Sequence, residues 1–113
     1  MHELGVIIEV VKQVELFAKE NKVSKIDKLV LQVGELSSMY PKYIEDVYPI
    51  AVEHTSLKDT RLEIEMLPGL ASCKKCNFGF NLKANNDKCP SCGSEDWTVI
   101  SGTEFMIKEI HAK

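Results

Sequence analysis

No apolar run in the chain approaches the ~20 residues that a membrane-spanning helix needs. The N-terminus also lacks the basic segment and cleavage site of a secretory signal, so the expected location is the cytosol. There is no basic excess either: 14 Lys and Arg stand against 17 Asp and Glu, with a net charge of -3 and a pI near 5.6. A phosphate backbone usually demands a basic patch, so neither nucleic acid nor membrane is an expected partner. Internal repeats and low-complexity tracts are absent. At 113 residues, 44% hydrophobic and 27% charged, the chain has the composition of a soluble globular protein. It is long enough for one ordinary domain, or one core plus a small satellite. Cysteine is missing from most of the chain, and all four lie within residues 73–92. A secreted scaffold would spread its cysteines to staple distant segments, whereas clustered cysteines in a cytosolic chain point to a metal.

What is present reads as alternating helix and strand. Over residues 4–20, Leu4, Ile7, Ile8, Val11, Val14 and Ala18 recur at helical spacing, with Val6, Val10 and Phe17 widening the stripe. Lys12, Glu15, Lys19 and Glu20 supply the solvated face, and Asn21 suits a C-terminal cap. The stretch KIDKLVLQVGEL alternates, with Leu29, Leu31 and Val33 on one side and Lys28, Val30 and Gln32 on the other. Pro41 suits the first turn of a second helix, whose face is Ile44, Val47, Tyr48, Ala51 and Val52. Pro49 inside that run predicts a kink or two short helices. TRLEIEML predicts a strand with Leu62, Ile64 and Met66 inward, ended by Pro68-Gly69. From Ala71 to Trp97 aliphatic residues thin out, and TVISGTEFMIKEI then returns to strand composition, with Gly102 a bulge or crossing point. The expected organisation is one unit of residues 1–70 and 98–113, with residues 71–97 inserted as a small module.

Cys73-Lys74-Lys75-Cys76 and Cys89-Pro90-Ser91-Cys92 are two CxxC pairs twelve residues apart. Two-residue spacing lets both thiolates of one turn face a single ion, and two such turns close a tetrahedral shell. Gly93 supplies the positive φ that such a turn needs, and Asn77 can do the same after the first pair. Zinc is the expected ion. Four sulfurs leave no open position for water, so its role is structural: it folds ~25 residues too few to build a core. Spacing alone leaves open a rubredoxin-type iron site.

The N-terminal Met1-His2-Glu3 offers a second metal chemistry. The Met1 amine, the His2 amide nitrogen and the His2 imidazole together form two fused chelate rings, and tetragonal nitrogen sets favour Ni(II) or Cu(II). Glu3 adds a carboxylate, a backbone nitrogen or a supporting contact. The same letters also suit a frayed, solvated end.

The chain resembles the HypA family of nickel metallochaperones, which serve maturation of [NiFe]-hydrogenase and, in some bacteria, urease. The resemblance rests on Met1-His2-Glu3-Leu4, on VGELS (Val33 to Ser37), on the PG before CKKC, on CPSCGS and on ISGTEF. It implies an α+β fold, a mixed three-stranded sheet with two helices carrying an inserted zinc ribbon. It further implies a nickel site on His2, with Met1 and Glu3 beside it, and a zinc site on Cys73, Cys76, Cys89 and Cys92. Several positions depart from the family pattern: Gly5 stands where Ser is usual, Ser38-Met39 replaces the commoner Gly-Val, and Tyr48-Pro49 is unusual. The zinc module also contains no histidine.

Other candidates have plainer readings. His54 complements a helix C-terminus, His111 is solvated in the tail, and Trp97 packs the ribbon against the sheet. Glu35 caps a turn or, as the resemblance implies, supports the nickel site. The expected function is non-enzymatic: the chain carries Ni(II) as cargo, keeps Zn(II) as a structural ion, and hands nickel to a metalloenzyme precursor. The resemblance implies as partners a HypB-like hydrogenase maturation GTPase and the [NiFe]-hydrogenase large subunit precursor, and a homodimer is an expected assembly. A zinc-ribbon nucleic-acid module, resting on Lys74, Lys75, Lys83 and Lys88, and a rubredoxin-like electron carrier are the rivals.

Overall fold

The structure, a computed structural model, describes residues 2–112, the side chain of His2 excepted. Helix α1 spans His2–Glu20, strand β1 Ile26–Gly34, helix α2 Pro41–Val52 and strand β2 Arg61–Leu67. Strands β3 (Leu70–Cys73) and β4 (Gly79–Asn81), a single 3-10 turn (Lys83–Asn85), and strands β5 (Trp97–Ser101) and β6 (Phe105–Ala112) follow. The strands form two separate three-stranded sheets, in the orders β2-β1-β6 and β4-β3-β5. In the first, β1 pairs with β2 in parallel and with β6 antiparallel, which gives the expected mixed sheet with two helices.

Alternation along β1 decides where the core sits. Leu29, Leu31 and Val33 point to one face and are fully buried beneath Ile7, Val11 and Val14 of α1 and Ile44, Val47 and Val52 of α2. The opposite face carries Lys28 and Gln32, with the ion pair Lys28–Glu63 at 3.8 Å and the pair Lys108–Glu65. Val30 is buried on this charged face too, flanked in register by Glu63 and Glu109, whose long stems exclude water while their heads stay solvated. Helix α1 ends in a left-handed turn at Lys22 (φ 54°), closed by the Val23 N–H donating to the Ala18 carbonyl at 2.8 Å. Asn21 holds the cap position before it, and its side-chain amide donates to the Phe17 carbonyl at 2.9 Å.

Several expectations are corrected. Helix α1 begins at His2 rather than Leu4 and buries Glu3 to 4% exposure, while Ile8 and Phe17 are exposed because the sheet covers a narrower stripe than the apolar pattern suggested. Met66 is 45% exposed on the edge strand β2, although its register partner Val33 on the central strand is buried. Pro49 neither splits nor ends α2: it lies in the last turn, where the one hydrogen bond it forfeits belongs to the Glu45 carbonyl, and both residues are exposed. The last strand of the sequence reading is two strands in different sheets. Trp97–Ser101 pairs with β3, and Phe105–Ala112 pairs with β1. The molecule is elongated, 54 × 27 × 16 Å, with a radius of gyration of 17.6 Å. A single compact body of this length would have about 13 Å.

Candidate metal centre

The two CxxC turns are built alike. The Cys73 carbonyl accepts the Asn77 N–H at 2.9 Å, and the Cys89 carbonyl accepts the Gly93 N–H at 2.7 Å. Each turn then reverses through a positive φ, 61° at Asn77 and 75° at Gly93, which is why Asn and Gly stand there. Both turns close with a second bond at 2.9 Å, from Cys73 N–H to the Phe78 carbonyl and from Cys89 N–H to the Ser94 carbonyl. Phe78 and Ser94 had no signal in the sequence, because they contribute backbone rather than side chain.

These turns bring four sulfurs together. Cys73 and Cys92 lie 3.6 Å apart, Cys76 and Cys89 also 3.6 Å, and all four sulfurs fall within 4.8 Å of one another. A disulfide would need about 2.05 Å, whereas a tetrahedral thiolate shell with bonds of ~2.3 Å has edges of about 3.8 Å. The donor set therefore fits a zinc ion and leaves no coordination position for water. Cys73 and Cys89 are buried, whereas Cys76 and Cys92 reach the surface. The Cys76 backbone N–H, helped by that of Lys75, holds the Cys73 thiol down at about 6 against the cost of burial. At Cys92 the Ser94 N–H pulls the other way, but the neighbouring Cys73 sulfur and burial push the thiol up to about 11. Four thiolates this close repel one another, and a divalent cation removes that conflict.

Around the sulfurs the ribbon has a small core of Ala71, Phe80 and Leu82, with Leu36 and Trp97 packed against it. Trp97 therefore packs on the ribbon's own core rather than joining the ribbon to the β2-β1-β6 sheet, and its indole N–H donates to the Asp87 carbonyl at 2.8 Å. Lys74 pairs with Asp96 at 3.8 Å and Lys88 with Glu95 at 3.6 Å, so half of the ribbon's lysines face acids rather than an open basic stripe.

The N-terminal candidates fare differently. Met1 and the imidazole of His2 lie outside the described residues, and Glu3 is a buried acid in the first turn of α1, where a carboxylate complements the helix dipole. His54 is exposed just past α2, and His111 is exposed on β6 with Nε2 2.6 Å from Glu109 Oε1. Among the described residues, the four cysteines alone form a group of three or more His, Cys, Asp or Glu able to hold an ion. Glu35 follows β1, and its Oε1 accepts the Gly69 N–H at 2.9 Å.

Residues 1–112 match the HypA family, described as hydrogenase/urease nickel incorporation, metallochaperone. The hydrogenase maturation factor HypA of Nostoc sp. is 37% identical over 113 residues, spanning 100% of this chain and 96% of its own. That of a Geobacter species is 33% identical over 110 residues, 97% of each chain. The solution structure of the Ni metallochaperone HypA from Helicobacter pylori superimposes with a TM-score of 0.68 at 26% identity, covering 99% of this chain and 97% of that one. With its two helices, its mixed sheet and its four-cysteine site, the chain belongs to the HypA family of nickel metallochaperones for hydrogenase maturation, and is a metal carrier rather than an enzyme.

Proposed function

We propose that the chain binds one Ni(II) at its N-terminus, through the Met1 amine and the His2 nitrogens, and keeps the four-cysteine zinc as a structural ion. The observation that carries this reading is the closed sulfur shell: cargo must exchange, and a shell already filled by Cys73, Cys76, Cys89 and Cys92 has no position through which a client could take it. The first N–H groups of an α-helix have no carbonyl partner within the helix, so a metal on the His2 amide nitrogen would not break α1. Burial of the Glu3 side chain favours a supporting role for it over that of an exposed ligand. The paired lysines of the ribbon speak against a nucleic-acid module. A colourless purified protein distinguishes zinc–thiolate from the red of a rubredoxin-like iron centre.

As partners in hydrogenase maturation we assign a HypB-like GTPase and the large subunit precursor, with urease as a second client, in the cytosol, the carrier itself acting as a homodimer. The two units are the α/β unit, which holds the nickel end, and the ribbon. Calorimetric nickel titration of untagged protein tests the ligand set. Affinity should fall steeply between about pH 7.5 and 6, where the amine and the imidazole take up protons. A flat profile across that window would mean that neither nitrogen is a ligand.

A further inference from the structure

Three motifs outside the cysteines, VGELS, PG and SGTE, meet where the chain passes between its two sheets. Gly34 N–H donates to the Glu104 carbonyl at 2.7 Å, Leu36 N–H to the Gly102 carbonyl at 2.7 Å, and Glu35 N–H to the Leu67 carbonyl at 2.8 Å. The strands cross so closely that a Cβ on Gly34 would lie 2.1 Å from the Gly102 carbonyl oxygen, and one on Gly102 2.5 Å from the Gly69 Cα. Two side chains of VGELS reach across this joint. Leu36 enters the ribbon's core, and Glu35 Oε1 accepts both the Gly69 N–H at 2.9 Å and the Asn81 side-chain amide at 3.2 Å. Asn81 is itself held in the ribbon: its Oδ1 accepts the Ala84 N–H at 2.9 Å, and its carbonyl accepts the Asn85 amide at 2.8 Å.

We propose that Glu35 is a positioning residue, its carboxylate latching the cysteine ribbon to the end of the α/β sheet so that the two units keep one relative orientation. The ribbon is joined to the sheet by two chain passages, through Gly69 and Gly102, where glycine allows the close crossing. Beside the backbone bond from Leu36 N–H to the Gly102 carbonyl, the apolar contact of Leu36 is non-directional. A carboxylate accepting two hydrogen bonds, one from the Gly69 passage and one from Asn81 in the ribbon, is directional, and its charge strengthens both. The VGELS acid thus gains a role that needs no metal, and the proposal stands or falls apart from the nickel reading.

Asn81→Asp is the selective test. It keeps the Oδ1 that holds Ala84 but replaces the donor facing Glu35 with a second carboxylate oxygen. Backbone 15N relaxation should then show the ribbon tumbling with a shorter correlation time than the α/β unit, with one zinc per chain retained. The double variant Glu35→Gln, Asn81→Asp puts a side-chain amide donor back across the joint and should restore common tumbling. If Asn81→Asp tumbles as one body, or if it separates and the double variant does not rejoin it, the latch is wrong. Should Asn81→Asp lose its zinc, Glu35→Ala replaces it, since it leaves the ribbon side untouched: separate tumbling supports the latch, and common tumbling refutes it.

Discussion

Ile7, Leu29, Leu31, Ile44 and Leu57 are among the largest fully buried side chains of the α/β unit, whereas two of the five buried residues in the ribbon's core are cysteines. Each aliphatic side chain so buried removes apolar surface from water at roughly 1.5–3 kcal/mol, and the α/β unit has enough of them to fold on that basis. The ribbon has Ala71, Phe80 and Leu82 and little else, too few to offset the ordering of its loops. On the proposed reading, one region is held by its core and the other by its ion. The difference separates two kinds of metal site: an ion that holds a fold together must stay, and an ion carried as cargo must leave. A closed sulfur shell suits the first, and a chain end suits the second.

Breaking the ribbon's ion is the largest perturbation this contrast offers. Cys92→Ser removes one of four ligands, and the metal's contribution to ordering the ribbon, of order 10 kcal/mol as apparent affinity, should be largely lost. Residues 70–101 are expected to lose amide dispersion while the α/β unit remains folded, with shifts at the joint residues Leu36 and Gly69. Retention of one tightly held zinc and an unchanged ribbon spectrum would contradict the contrast. The converse change is Leu31→Ala, at a fully buried position of the central strand. It should cost about 2–5 kcal/mol in the unfolding of the α/β unit, read by denaturant titration, and leave the ribbon's zinc affinity unchanged. A smaller effect, of opposite sign, is expected at Gly5, where a Cβ would meet nothing within 4 Å inside a helix. Gly5→Ala should stabilise the α/β unit by about 0.5–1 kcal/mol. Loss of stability there would mean that the bare backbone at position 5 serves something other than the helix.

Periodicity marked Ile7, Val11, Val14, Ile44 and Val47 as the buried helix faces, and alternation marked Leu29, Leu31 and Val33. All of these lie in the core because one face of each element meets the other layer. The cysteine turns were legible down to the left-handed residues Asn77 and Gly93, since two-residue spacing leaves the backbone little choice. Other features depend on distant partners that local pattern does not carry. Ile8 and Met66 have the right character for the core, but are exposed at the edge of the apolar stripe of α1 and on the edge strand β2. Gly102 was legible as a bulge or crossing point, but the assignment of the two halves to different sheets was hidden because β5 and β6 have similar composition, and only their pairing with β3 and β1 tells them apart. The contact of Glu35 with Asn81 spans 46 positions in the chain and could not be read from either motif alone.

The central claim, that nickel sits on a chain end while the cysteines hold the fold, is tested most directly by counting both metals in altered N-termini. His2→Ala should abolish stoichiometric nickel binding and leave one zinc per chain and the α/β fold intact. A Gly-Ser pair added ahead of Met1 should do nearly as much damage, because it turns the amine into a peptide nitrogen and breaks the chelate ring. Nickel near one per chain in both variants, with zinc unchanged, would contradict the account.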